Sequence, residues 1–317
     1  MLRRTFLAAT GCLALAGPSF AQTKPTRIIV GFAPGGPVDS VARILADQLG
    51  KELGRTVIVE NKSGANGAIA AQEVIRSAPD GGTIWITSVG AAAINPSLYD
   101  KLVYDMARDF APVSLVVNNV EVLVINPNDS AKDAADFVTN ARRAKETAMA
   151  SSGVGSIPHL AIEQLADASG AAFLHVPYKG AAPAISDVMG GQVAGFFGDV
   201  PGLIGHVKGG KLRAVGVAAP KRHPALPDVK TFEEQGFKGI DTNNWYAIFV
   251  SSKTPPAVVE TLNKAVRASL TAPDVNAKLT ALGAEPAPST PDELAALLKT
   301  DTKKWAALIK AKSIRGE

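Results

Sequence analysis

Cysteine is almost absent from this chain: among 317 residues the only one is Cys12, inside an apolar stretch near the N-terminus. If that stretch is removed, what remains has no disulfide, no thiolate nucleophile and no cysteine metal site. The histidines, His159, His175, His206 and His223, show no metal-binding spacing, so neither a metal nor a cofactor is expected. Beyond the N-terminus no apolar run approaches the ~20 residues that cross a bilayer, and the processed protein is expected to be soluble. A continuous basic track is missing as well. The 33 basic residues are scattered among 29 acidic ones, and the densest runs, 211–213 and 221–223, have no interleaved aromatics. That argues against a nucleic-acid partner. Nor is there a Gly-x-Ser-x-Gly elbow, which weakens a serine-hydrolase reading. Aromatics are sparse at 6%, whereas glycine (29) and proline (21) are frequent, a composition suited to many short elements joined by tight turns.

Residues 1–21 have the layout of an export signal. Arg3 and Arg4 form a basic start, Phe6 to Ala16 a short apolar segment, and Ser19-Phe20-Ala21 a small-x-small site with cleavage expected after Ala21. The paired arginines also suit a twin-arginine signal, so Sec and Tat export both stay open. Ala9-Thr10-Gly11-Cys12 weakly resembles a lipobox, but a better cleavage site follows it. In a bacterium this signal leads to the periplasm. Without Arg3 and Arg4 the chain carries 31 basic and 29 acidic residues.

Along the rest of the chain, strand-like runs alternate with amphipathic helices. Strands are predicted at 27–30, 56–60, 83–87, 113–117, 121–125, 147–150, 173–176, 193–197, 213–218 and 245–250. Helices are predicted from Val38 to Gly50 and over 67–78, 157–169, 184–189, 255–271, 273–282 and 291–309, the last opened by a Thr290-Pro291-Asp292-Glu293 capping box. This alternation predicts an α/β protein with mostly parallel sheets covered by helices on both faces. The strand, glycine loop and helix pattern opens each of two halves. With no low-complexity linker between them, the halves are expected to be joined by strand crossovers near 118–124 and 240–246. The lobes then comprise 22–123 with 247–317, and 124–246.

Three loops lead into helices. Gly31 to Pro37 is neither a Gly-x-Gly-x-x-Gly fingerprint nor a P-loop, so a nucleotide site is not indicated. Ser151 to Ser156 offers hydroxyls as well as amides, and Val176 to Pro183 contributes Tyr178, Lys179 and Gly180. A helix N-terminus exposes unpaired amides and about half a positive charge. Three such ends around one cleft would bind an anion without arginine. Each loop could equally be an ordinary capped turn.

The segments FAPGGPVDSVAR (32–43), ENKSGANGAIAAQEV (60–74), PDGGT (79–83), NPSLYDKLVYD (95–105), DFAPVSLV (109–116), GSIPHLAIEQL (155–165), HVPYKGAAPAISDVMGGQV (175–193) and GKLRAVGV (210–217) occur in that order. Together they resemble the Bug receptors, the TctC-like solute-binding proteins of tripartite tricarboxylate transporters, from about residue 25 to the end. The resemblance implies a type II periplasmic-binding-protein fold, in which two doubly wound lobes close on a small carboxylate destined for a membrane permease. It maps a first-lobe site onto Phe32, Pro34, Gly35, Gly36 and Asp39, and a second-lobe side onto Ser152, Gly155, Ser156, His159, Tyr178, Lys179 and Gly180.

Two departures bear on the ligand. The segment from Ser88 to Ala92, where such receptors often carry a histidine, is apolar after Ser88, and Asp199 stands where a small or polar residue is common. An Asp199 facing the cleft would repel a second carboxylate but accept an ammonium or a hydroxyl. Otherwise it caps a helix ahead of Pro201. His159 and Glu163 are spaced as a helical surface pair, and Trp245 and Tyr246, near a crossover, are candidates for either the core or the cleft. The expectation is a monomeric binding protein rather than an enzyme. The alternatives are a ligand sensor for a membrane kinase and a secreted enzyme acting on a small acid.

Overall fold

The computed structural model describes residues 24–316; the segment 1–21 expected to be an export signal, with Cys12, lies outside them. The chain builds two sheets. The first contains β1 (Thr26–Val30), β2 (Val57–Asn61), β3 (Thr83–Ser88), β4 (Phe110–Asn118), β10 (Tyr246–Ser251) and β11 (Glu285–Pro286), in the order β11-β4-β10-β3-β1-β2. The second contains β5 (Glu121–Ile125), β6 (Thr147–Ser151), β7 (Phe173–Pro177), β8 (Gly195–Asp199) and β9 (Arg213–Val217), in the order β7-β6-β8-β5-β9.

Both sheets are buried on both faces, as the continuous apolar runs of their central strands require. In β1, Ile28 and Val30 point to one side and Ile29 to the other, and all three are fully buried. The Ile28 side packs on α1 (Pro37–Leu53) and α9 (Pro256–Thr271). The Ile29 side packs on α2 (Ala68–Arg76) and α11 (Pro291–Ala311). In β5, Leu123 and Ile125 face α5 (Ala134–Arg143) and α6 (Ile157–Ser169), whereas Val122 and Val124 face α7 (Ala181–Met189) and α8 (Val200–Lys208). Two further helices, α3 (Asn95–Leu98) and α4 (Met106–Asp109), lie between β3 and β4, and α10 (Pro273–Ala281) follows α9.

Helix boundaries follow local chemistry. Buried Val38, Val41, Ala42, Leu45 and Leu49 give α1 its apolar face, and Gly54 ends it in the left-handed conformation. Thr290 and Glu293 form the reciprocal cap of α11. Four helices were not predicted: the single turns α3 and α4, and the longer α5 and α8. In α8 the run VPGLIGHVK reads as a loop because of Pro201, Gly202 and Gly205, yet a proline in the first turn sacrifices no helical hydrogen bond. In α5 the buried residues Ala134, Phe137, Val138 and Ala141 do recur at helical spacing behind an Asp133 cap, so its signal was present in the sequence. α7 begins at Ala181, three residues before its predicted start, with Pro183 tolerated in its first turn.

The sheets are more mixed than expected. β10 runs antiparallel to β3 and β4, and β5 antiparallel to β8 and β9. These are the strands entered directly from the other sheet, without a helical crossover to impose parallel pairing. The chain leaves the first sheet after Asn118, enters the second at Glu121 and rejoins the first at Tyr246. Glu121 to Leu123 thus pair in the second sheet and Tyr246 in the first, each on the far side of the anticipated boundary. Among the described residues no helix is long and apolar enough to cross a membrane, and no cluster of three or more His, Cys, Asp or Glu could hold a metal.

Candidate functional site

A cavity of about 430 Å³ opens between the two sheets. Its lining includes residues from the first turns of four helices: Pro37 and Val38 of α1, Ile157 and Pro158 of α6, Ala181 of α7, and Gly202 and Leu203, the third and fourth residues of α8. These helices are 17, 13, 9 and 9 residues long, so each turns a positive dipole end toward the cavity, although the Val200 and His159 amides are already spent on the Val120 carbonyl and the Ser156 hydroxyl. Ser88, Ser152 and Ser156 add hydroxyls, and the exposed Lys179 is the one cation among the described lining residues. Four helix ends and an ammonium give this wall a positive character suited to a carboxylate.

The base of the cavity has the opposite character. Glu121, at the start of β5, and Asp199, at the end of β8, are register partners on adjacent strands. Asn244 Nδ2 donates to Asp199 Oδ1 at 2.7 Å, and Tyr246 Oη donates to Asp199 Oδ2 at 2.5 Å. Glu121 is fully buried. Burial, reinforced by the neighbouring Asp199, pushes its carboxyl well above the usual range, and burial beside the same carboxylate likewise raises the Tyr246 phenol. The crossings themselves are laced together. Asn119 Nδ2 donates to the Asn244 carbonyl, the Asn244 amide donates to the Asn119 carbonyl, and Asn243 Nδ2 donates to Asn118 Oδ1.

Of the residues singled out in the sequence, Phe32, Ser88, Ser152, Ser156, Lys179, Gly180 and Asp199 line this cavity together. Seven others lie off its wall. Asp39 is buried and already committed: it accepts from the Gly35 amide (2.8 Å), Arg43 Nε (2.9 Å) and Asn61 Nδ2 (2.9 Å). Burial raises its carboxyl, but these three donors outweigh burial and hold it below the ordinary range. The Gly35 amide is therefore spent on Asp39, and the Gly36 amide on the Ala33 carbonyl, while Pro34 is exposed. The first cradle consequently presents the start of α1 rather than the Pro34-Gly35-Gly36 amides.

Gly155, in the left-handed conformation (φ 71°), sits against Leu98; a Cβ there would lie 2.3 Å from a Leu98 methyl. It is a point of approach between the lobes. His159 is buried, and its Nε2 lies 3.8 Å from Glu163 Oε1. Its Nδ1 accepts from the Gly155 amide, and its ring stacks on His175 with centroids 3.6 Å apart. Burial lowers His159 to about 4, and burial together with the His159 ring lowers His175 to about 4. The Tyr178 hydroxyl turns to Asp187 at 2.5 Å, and that hydrogen bond, aided by burial, raises it to about 12.

The structure also divides the aromatic pair. Trp245 is core, with Nε1 donating to Asp301, whereas Tyr246 reaches the cavity. Glu121 and Asn244 escaped the sequence reading. A usable signal was present: an Asn-Asn pair stands at each crossing, 118–119 and 243–244, and an acid opens the otherwise apolar strand EVLVI.

A second hollow of about 800 Å³ lies between α11 and residues 96–112. It is larger, but its lining comes only from elements packed around the first sheet and it contains no long-helix N-terminus, so the inter-sheet cavity is the better binding site.

Two α/β layers with a cleft between them, crossed by strands at its base, define a two-lobe binding protein. The chain matches the model of the tripartite tricarboxylate transporter family receptor (TctC) over residues 41–314, and it belongs to that family. Its members are solute-binding receptors, which gives the protein a periplasmic role in transport. Protein BugT of Bordetella pertussis is 32% identical, covering 96% of this chain and 94% of its own. The structure of the periplasmic binding protein BugD superposes with a TM-score of 0.83 at 33% identity, covering 92% of this chain and 99% of that one. Rpa4515 of R. palustris, solved with adipate, gives a TM-score of 0.86 at 30% identity, covering 92% and 98%.

Proposed function

We propose that the inter-sheet cavity captures a small carboxylate and that the liganded protein delivers it to the permease of a tripartite tricarboxylate-type transporter. The observation that carries this reading is the convergence of four helix N-termini and Lys179 on a single cavity of about 430 Å³. Backbone amides and a helix dipole favour an anion without a dedicated arginine. The ligand contacts assigned here are Phe32, Ser88, Ser152, Ser156, Lys179, Gly180 and Asp199, together with Asn244 and Tyr246. Asp39, His159 and Tyr178 support the walls from behind. The adipate in Rpa4515 is consistent with a carboxylate of this size.

The protein binds without turnover. The described cavity wall contains no histidine, and the imidazole of His175 bonds Ser151, which lies off that wall. It acts as a monomer, reaches the periplasm through its N-terminal signal with cleavage after Ala21, and consists of one lobe around each sheet. The test is thermal unfolding of ligand-stripped protein against C3–C8 mono- and dicarboxylates, hydroxy acids and amino acids. Ligand at about 100 times its Kd adds about 2.7 kcal/mol, a shift of several degrees for a chain of this size. A flat response to every carboxylate overturns the reading, as does chemical conversion of a bound one.

A further inference from the structure

The acid pair at the base of the cavity is not explained by capture of a carboxylate. Glu121 Oε2 is fully buried and has no hydrogen-bond donor in reach, while Oε1 has only a long contact, 3.4 Å, from Asn244. An ionised carboxyl in that position would be desolvated and unpaired, which is prohibitive. A proton held by Glu121 and donated to its cross-strand neighbour Asp199 removes the difficulty. The two acids then share one proton and one negative charge. Burial and the Asp199 charge raise the Glu121 carboxyl in the sense this requires.

Both acids line the cavity, and of the two Asp199 is the one that is partly exposed. Its oxygens accept from Asn244 and Tyr246, and a carboxylate has about four lone-pair sites, so acceptor capacity remains on the ligand side. Among the described residues no cation pairs with Asp199. Lys179, the one cation among the described lining residues, stands at the start of α7, and neither acid pairs with it.

We infer that the base of the cleft is an ammonium site, formed by Asp199 with Glu121, Asn244 and Tyr246 behind it, and that the protein selects carboxylates carrying a positively charged nitrogen. This rests on the carboxylate reading above and narrows its ligand class. The ligand carboxylate lies at the helix ends and its ammonium at Asp199. A dicarboxylate of matching length would press its second carboxylate against the fixed charge.

The test compares matched pairs on ligand-stripped protein at pH 7.5 by calorimetry: 4-aminobutyrate with succinate, 5-aminovalerate with glutarate, and 6-aminohexanoate with adipate. In at least one pair the amino acid is expected to bind roughly tenfold or more tightly than its dicarboxylate. Asp199→Asn is expected to abolish or reverse that preference, with circular dichroism checking its fold. Equal or tighter binding of the dicarboxylates to the unmodified protein overturns this inference and leaves carboxylate capture intact. Failure of every member of both series, with a flat thermal response to the wider carboxylate panel, overturns the underlying reading and this inference with it. The comparison on unmodified protein decides the matter even if the variant does not fold.

Discussion

Single residues in this protein have roles that their sequence neighbours do not announce. Asp39 lies in the PGG-x-x-D segment, yet its carboxylate folds the loop instead of meeting the cavity. His159 is buried and stacks on the partly buried His175, and neither ring is readily protonated. That has a consequence for acid stability. An unfolded histidine titrates near 6.5, whereas these two are lowered to about 4. Between those values the unfolded chain binds more protons than the native one, so stability is present above about pH 6.5 and is lost as pH falls toward 4. The pair is expected to contribute on the order of 2 kcal/mol to that loss. Chemical denaturation of the wild type and a His175→Gln variant at pH 7.5 and 4.5 measures it. The variant should lose less stability over that interval, and an unchanged difference would show that the histidines are not responsible.

At the level of elements, the cleft wall depends on a strand, a loop and a helix start meeting at close quarters. Gly31, immediately after β1, would bring a Cβ to 2.7 Å from the Gly67 backbone, just before α2. At Gly36 a Cβ would meet only the Ala33 carbonyl, at 3.3 Å, in ordinary extended backbone. Gly31→Ala is therefore expected to destabilise by about 1–3 kcal/mol through overpacking and to weaken ligand binding. Gly36→Ala should do less on both counts. Paired melting curves and titrations on the two variants check this, and a larger effect at Gly36 would return the cradle to its amides. Periodicity made most elements legible, because core-facing positions must recur at the helical or strand repeat. It failed for α8, where proline and glycines imitate a loop, although that helix start forms part of the cavity.

Across the whole molecule, the lobes touch away from the crossings. Lys312, after α11, reaches Asp167 at 2.5 Å and Glu163 at 3.2 Å on α6, and Gly155 lies against Leu98. These contacts join elements around different sheets, so they exist only while the lobes stand close. Lys312→Met is expected to loosen that approach. A partly exposed ion pair is worth up to about 1 kcal/mol, so ligand affinity should fall by roughly two- to fivefold. The radius of gyration of the ligand-free protein in small-angle scattering should also rise. If neither quantity moves, the pair does not help hold the lobes together.

Alternation of strands and helices, covering of both sheet faces, family membership and anion-favouring helix starts are all readable from local residue patterns. All of these are local patterns, set by side-chain periodicity and backbone permissiveness over a few residues. Long-range packing sets which of those starts share a cavity. It separated Trp245 from Tyr246 and turned Asp39 and His159 away from the cleft. It also brought Glu121 and Asp199, 78 positions apart, onto neighbouring strands. Their shared charge depends on burial and on donors from a third segment, Asn244 and Tyr246, and only the folded chain supplies that environment.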